Sequence, residues 1–378
     1  MKMCYHPWVG LDISPQGEFK PCCKYSNSIA KSLDEYQTSD ELAQLRYDFT
    51  NGIQPAGCKR CWRDEDANLP SKRILDNEYI FHNYAPSLDS IKVLSMPFGN
   101  TCNLACRICS SYSSSKWGSE SKKLREKFPD IKIWGHNKFY KDDAFMDRVL
   151  SVTDDVIHVD IPGGEPFYAD NATHSNFLKH LISHNASNIS LHYVTNATRF
   201  PDTQFLKLWS HFKNVDIQLS LDGTKTKFEY NRWPAKWDNV AQNVVKWQEH
   251  RQQESNIQLS VSHSVSIFTV LYLPEFLKWC LDSGIPSPYL GLVTNPSYYS
   301  ITILPYDVKL EIERKFKSHP ELNSIIAAMW ATDDNKELDL FVNYVKILDK
   351  QRNQSFVDTF PELYQLLGKK CQTLFQLY

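Results

Sequence analysis

The sequence predicts an α/β chain: a partial (β/α)6 TIM-like barrel, preceded by a small N-terminal cysteine-rich α+β module and followed by a helical C-terminal segment. Three observations predict it. Six short stretches have strand character, namely IKVLSM (91–96), VIHVDI (156–161), ISLHYVT (189–195), VDIQLSL (215–221), IQLSVSHSV (257–265) and YLGLV (289–293). Helical patterns alternate with them, as a parallel sheet with crossover helices requires. Eight of the ten cysteines crowd into positions 4–109.

Residues 1–85 read as the cysteine-bearing module. WVGLDISPQGEFKPCC (8–23) has alternating apolar residues around a Pro-Gln-Gly turn, as in a hairpin. A helix follows, with a capping box at Thr38 and Glu41, an apolar stripe of Leu42, Leu45 and Phe49, and a stop at Asn51-Gly52. GCKRCW (57–62) closes the module. Residues 90–300 hold the six strand–helix units; FLKLWSHF, for example, places Phe205, Leu208, Trp209 and Phe212 on one helical face. Residues 301–378 read as helices without further strands. Cys280, in an apolar helix, is expected to pack in the core. Cys371 and the charged stretch LDKQRNQSF (348–356) are assigned no role. His158, His192 and His263 alternate with apolar residues in strands, where structural histidines are the default. Tyr298 and Tyr299 follow the sixth strand and are candidates for core packing or a pocket wall.

With 42% hydrophobic residues among 378, the chain can bury a sizeable core. No apolar run reaches the length of a membrane span, and the first residues lack a basic stretch followed by an apolar one, so no signal peptide or membrane partner is expected. The formal net charge of −2 offers no basic face for nucleic acid. A cytoplasmic location follows as an expectation, and there cysteines serve as metal ligands or catalytic groups more often than as disulfides.

The chemistry-bearing stretches come just after the strands: GNTCNLACRICS (99–110) after the first, GGEP (163–166) after the second, TNAT (195–198) after the third and LDGT (221–224) after the fourth. In parallel barrels such loops converge on one mouth. Cys102, Cys106 and Cys109 put three soft ligands on one loop, suited to zinc or an iron–sulfur cluster. A structural zinc site wants four ligands, so a zinc knuckle would borrow a fourth; a cubane cluster held by three thiolates keeps one iron open. Cys102-x3-Cys106-x2-Cys109 resembles the signature of the radical S-adenosylmethionine (SAM) superfamily. Ile108 departs from it where many members place an aromatic residue. GGEP is similar to the segment binding the SAM amino group, TN at 195–196 and SLDG at 220–223 to the third- and fourth-strand motifs. EYNRWPAKW, around Arg232, resembles the segment that brings a carboxylate-binding arginine to the cofactor in peptide-modifying members.

The resemblance implies a 4Fe-4S cluster on Cys102, Cys106 and Cys109 that cleaves SAM reductively to a 5′-deoxyadenosyl radical, which takes hydrogen from a substrate. It implies SAM contacts from Gly163, Gly164, Glu165, Asn196, Ser220, Asp222 and Arg232. The glycines let backbone approach a ligand closely, Glu165 supplies a carboxylate for an ammonium group, and Arg232 offers a fork for a carboxylate. Cys4, Cys22, Cys58 and Cys61 resemble the ligands of an auxiliary cluster in SPASM and twitch domains, here N-terminal to the core. Cys23 is an alternate to Cys22, and a Cys4-type zinc ribbon an alternative to the cluster. The expected substrate is a peptide or protein, with a small metabolite or nucleotide as the second possibility. A non-catalytic iron–sulfur or zinc carrier or scaffold is the reading from another class. An electron donor such as flavodoxin or ferredoxin would complete the system.

Overall fold

The structure is a computed structural model that describes residues 3–66, 70–81, 90–169, 171–331 and 337–376. All six expected strands form: β3 (Val93–Ser95), β4 (His158–Ile161), β5 (Ser190–Thr195), β6 (Asn214–Ser220), β7 (Ile257–Val265) and β8 (Tyr289–Leu292). They pair in parallel in chain order. The hairpin also forms, as β1 (Gly10–Ile13) and β2 (Phe19–Lys20), but it does not stand apart. β1 pairs in parallel with β3, from Gly10 opposite Val93 to Asp12 opposite Ser95. The result is one open eight-stranded, mostly parallel sheet in the order β2-β1-β3-β4-β5-β6-β7-β8. The expected boundary between the module and the core, at 85–90, falls largely on residues outside those described.

Alternate residues of each strand explain the two faces of the sheet. On one face Leu94, Val159, Ile161, Leu191, Tyr193, Val215, Ile217 and Leu219 are buried in a single apolar cluster under the crossover helices. Aromatic rings fill its centre: Phe167 lies 5.4 Å from Tyr193 and 6.0 Å from Trp209. Burying each such side chain stabilises the fold by roughly 1.5–3 kcal/mol. The other face is polar. Asp12, Ser95, Asp160, His192 and Asp216 stand in register across five neighbouring strands. His192 Nδ1 is 2.8 Å from Asp160 and its Nε2 3.5 Å from Asp216, while Lys72 reaches Asp160 at 3.8 Å. A closed barrel core is filled by branched apolar residues; this inner face is instead built to meet polar groups.

Local chemistry sets the remaining elements, with one correction. The helix Asp40–Thr50 is capped by Ser39, whose Oγ accepts from the Leu42 amide, and not by Thr38. Thr38 ends the preceding helix and donates to the Asp34 carbonyl. Either residue suits a cap in isolation; the turn between the two helices decides. Leu42, Leu45 and Phe49 are buried, and the helix stops at Asn51 with Gly52 at φ +71°. Among the described residues from 301 onward only helices and turns occur.

Candidate functional site

The loop after β3 carries Cys102, Cys106 and Cys109, and its neighbours hold it in shape. Asn100, fully buried, donates to the carbonyls of Ser111 and Gly135 and accepts from the Asn137 amide. Ser115 Oγ accepts from the Cys102 amide, Ser114 Oγ donates to the Leu104 carbonyl, and Trp117 Nε1 donates to the Cys106 carbonyl at 3.0 Å. The loop backbone also pairs with the turn after β6: the Ala105 amide donates to Trp233 O and the Arg107 amide to Asn231 O, both at 2.8 Å.

The motifs after the next strands converge on this loop. Gly163 and Gly164 adopt φ +73° and +52°. A Cβ on Gly164 would stand 2.3 Å from the Thr101 carbonyl, so only glycine lets the turn approach the cysteine loop this closely. The Glu165 amide then donates to that same carbonyl at 2.8 Å. Asn196 bonds Asn103 Oδ1 through Nδ2, which lies 3.9 Å from Cys102 Sγ. Arg232 Nη1 lies 4.0 Å from Cys106 Sγ, and its Nη2 pairs with Asp222 at 2.8 Å. Asp222 is itself fixed by the Ser264 amide.

These residues meet in a cleft of about 890 Å³ whose lining includes the three cysteines, Gly163, Gly164, Asn196, Ser220 and Arg232. Tyr298, Tyr299, Tyr344 and Trp117 form an aromatic wall, and Arg60 enters from the N-terminal segment. Such a volume lies in the upper part of the range for small-ligand sites. Burial pushes all three thiols up, Cys109 to about 12, with Arg232 the cation that opposes this for Cys106 and Cys109. Reactive cysteines have lowered values, so none of the three is poised as a free nucleophile. As soft donors on one loop they suit a metal cluster.

Two motif residues sit differently from their expected roles. Glu165 is 1% exposed and does not line the cleft. Its carboxyl accepts from Thr195 Oγ1, the Asn196 amide and the Phe167 amide. Burial still lifts it to about 7. It therefore ties the turn after β4 to the end of β5 rather than offering a carboxylate to a ligand. Asp222 likewise acts through Arg232. His263 faces the helices, its ring 4.5 Å from Phe276, and burial lowers it to about 4. Cys280 packs in the core as expected.

The other cysteine set forms a second, smaller site. Cys4, Cys22, Cys58 and Cys61 line one cavity of about 20 Å³ with His6, Tyr25, Phe49, Lys72 and Arg73. Burial raises each thiol, Cys58 to about 12; repulsion from neighbouring thiols adds to this for Cys4, Cys22 and Cys58, and from Asp64 and Glu65 for Cys61. Cys23 does not line that cavity; it lines a neighbouring pocket with Asp12, Ser95 and Asp160, which Cys22 also borders. Among the described residues no three His, Cys, Asp or Glu side chains stand close enough to hold a single metal ion.

Sequence reasoning missed the residues that buttress the loop. Arg107, Asn100 and Trp117 lie within or beside the motif, but nothing local distinguishes them from ordinary loop residues. Asp349, Arg352 and Gln354 come from the stretch assigned no role; Asp349 and Gln354 bind Arg107, and Arg352 binds Glu120.

No family model and no curated protein matches the chain. Solved structures do resemble it. His6-tagged anSMEcpe with bound AdoMet is 19% identical with a TM-score of 0.44, over 62% of this chain and 60% of that one. Native anSMEcpe with bound AdoMet and Cp18Cys peptide is 18% identical with a TM-score of 0.43, over 61% of each chain. SuiB from Streptococcus suis, bound to S-adenosylmethionine, is 13% identical with a TM-score of 0.36, over 77% of this chain and 58% of that one. The match spans about three fifths of each of those proteins. The AdoMet and peptide belong to those structures; the reading of this chain rests on its own residues.

Proposed function

We infer that the chain is a radical SAM enzyme with a partial-barrel core, whose cleft binds an open 4Fe-4S cluster and SAM. One observation carries the reading: three thiols, a buried Asp222-fixed arginine 4.0 Å from Cys106 Sγ, and a Gly163-Gly164 turn all line one cleft at the strand ends. A zinc knuckle needs neither the arginine nor the cleft. When bound, the cluster and SAM together would supply a 5′-deoxyadenosyl radical that takes hydrogen from a C–H bond.

The chain's own residues do the rest. Cys102, Cys106 and Cys109 hold the cluster and leave one iron free. Arg232, with Nη1 on the cleft side and Nη2 on Asp222, receives the SAM carboxylate as a charge-assisted fork. The backbone of Gly163-Gly164 takes the ammonium group. Asn196 and Ser220 line the same cleft, and the tyrosine wall excludes water from the reacting centre. Glu165 and Asp222 contribute by positioning, with no direct contact.

Cys4, Cys22, Cys58 and Cys61 hold an auxiliary cluster in this reading. Four thiols in two pairs would also close a tetrahedral zinc site, and iron against zinc content separates the two. A peptide is the favoured substrate, because EYNRWPAKW around Arg232 resembles the arginine segment of peptide-modifying members. Electrons would come from a small donor such as flavodoxin or ferredoxin.

The test is direct. Anaerobically reconstituted protein, reduced with dithionite in the presence of SAM, is expected to release methionine and 5′-deoxyadenosine. No 5′-deoxyadenosine from a protein carrying both clusters would overturn the reading in favour of a non-catalytic carrier.

A further inference from the structure

Arg107, the first of the two residues between the second and third loop cysteines, is only 1% exposed. A buried guanidinium is costly unless it is paired, and distant parts of the chain supply partners for Nε and Nη2, with Nη1 left unpaired. Nε donates to the Tyr230 carbonyl at 3.1 Å, and the guanidinium lies 3.6 Å over the Tyr230 ring. Nη2 donates to Asp349 at 2.5 Å and to Gln354 at 3.0 Å. Asp349 also accepts from the Tyr230 hydroxyl at 2.8 Å and from the Phe356 amide at 2.7 Å. Arg107 and Asp349 are 242 residues apart.

A second link runs in parallel. Arg352 forms a two-pronged pair with Glu120 and lies 4.9 Å from the Trp117 ring and 5.1 Å from the Trp233 ring. Trp117 in turn holds the Cys106 carbonyl. The end of the helix Leu338–Arg352 is thus fastened at two points to the cysteine loop and its support. The segment between the two fastenings is Tyr230–Trp233, which carries Arg232 and pairs backbone to backbone with Ala105 and Arg107.

We propose that Arg107 and Asp349 are positioning residues: they fix the three-cysteine loop against Arg232 and so set where SAM sits relative to the cluster. This rests on the radical SAM reading above. The geometry separates it from plain packing. Asp349 joins the loop and the Arg232 segment through one carboxylate, so its loss frees both partners of the cofactor site at once. It also leaves the Arg107 charge uncompensated beside the cluster ligands. Added positive charge favours the reduced cluster. Outer partners of this kind commonly change metal-site function by about tenfold or more.

The experiment compares reconstituted wild type, Asp349→Asn, Gln354→Leu and the exposed control Lys350→Ala. Iron content, the midpoint potential of the SAM-binding cluster, the perturbation of its electron paramagnetic resonance by SAM, and thermal unfolding are all measured. Asp349→Asn is expected to keep its iron, shift the potential to less negative values and bind SAM about tenfold more weakly. Gln354→Leu should move both the same way by less, and Lys350→Ala neither. If Asp349→Asn fails to fold, the milder Gln354→Leu decides. Lower thermal stability with unchanged potential and SAM affinity would overturn the proposal, leaving a merely structural clamp. A wild-type cluster whose spectrum SAM does not perturb would instead sink the radical SAM reading, and this proposal with it.

Discussion

The two cysteine sets sit in opposite surroundings. The loop set has three thiols on the wall of an 890 Å³ cleft, with Arg232 and Asn196 beside them. The N-terminal set has four thiols around a cavity of about 20 Å³, closed by Tyr25, Phe49 and Arg73. Ligand count and free volume change together. Four thiols satisfy a metal centre completely, so no space is needed for anything else. In the proposed reading three leave one position unfilled, beside a cleft lined by Arg232 and Asn196.

The largest expected break in this contrast comes from Cys106→Ala. It should abolish SAM-dependent 5′-deoxyadenosine and reduce iron from about eight to about four per chain. Retained product would refute the assignment of the loop. Cys61→Ser should do the reverse, lowering iron by a similar share while the SAM-perturbed resonance persists; thermal unfolding should fall markedly, since metal binding at a closed site is also folding energy. Cys23→Ser is expected to leave iron unchanged, and a loss there would reassign the ligand.

A smaller effect is expected at Arg232. Replacement by lysine keeps a charge for Asp222 but removes the fork, so SAM binding should weaken by about tenfold or more while the N-terminal cluster is untouched. Equal SAM affinity in Arg232→Lys would remove the arginine from the site.

The smallest effect concerns pH. Burial raises the Glu165 carboxyl to about 7 in the fold, against about 4.3 in an unfolded chain. Its contribution to stability is therefore full below the unfolded value and is lost as pH rises through 7. The loss is on the order of 3 kcal/mol. Denaturant unfolding of the reconstituted protein should show this fall between about pH 4.3 and 7, and Glu165→Gln should flatten it. An unchanged slope in that variant would place the ionisation elsewhere.

Much of the fold was legible because its signals are local. Each of the six strands carries its own alternation, and the stripe Leu42, Leu45 and Phe49 forecasts a helix face without reference to the rest of the chain. The site was legible as spacing: x3 and x2 between cysteines, Gly-Gly after one strand, an arginine after another. What could not be read were pairings between distant segments. β1 is four residues long, and its partner β3 begins 80 residues after its last residue. Nothing in GLDI announces that partner. Asp349 and Arg352 look like solvated helix-end charges until Arg107 and Glu120 are brought to them.

The sequence by itself determined which residues the proposed chemistry rests on: three thiols, a glycine pair, an arginine, and a second set of four thiols. Residue type and backbone freedom are properties of single residues and short spacings, legible before folding. Only the tertiary structure decided what each one faces. It turned Glu165 inward onto Thr195 and Asn196, placed Cys22 but not Cys23 on the cavity shared with Cys4, Cys58 and Cys61, and joined the hairpin to the main sheet. It also made the end of the helix Leu338–Arg352 a support for a loop 242 residues away. Burial is the reason. A charge or hydroxyl removed from water must find a partner wherever the fold places one, and that partner's identity is written in no neighbouring residue.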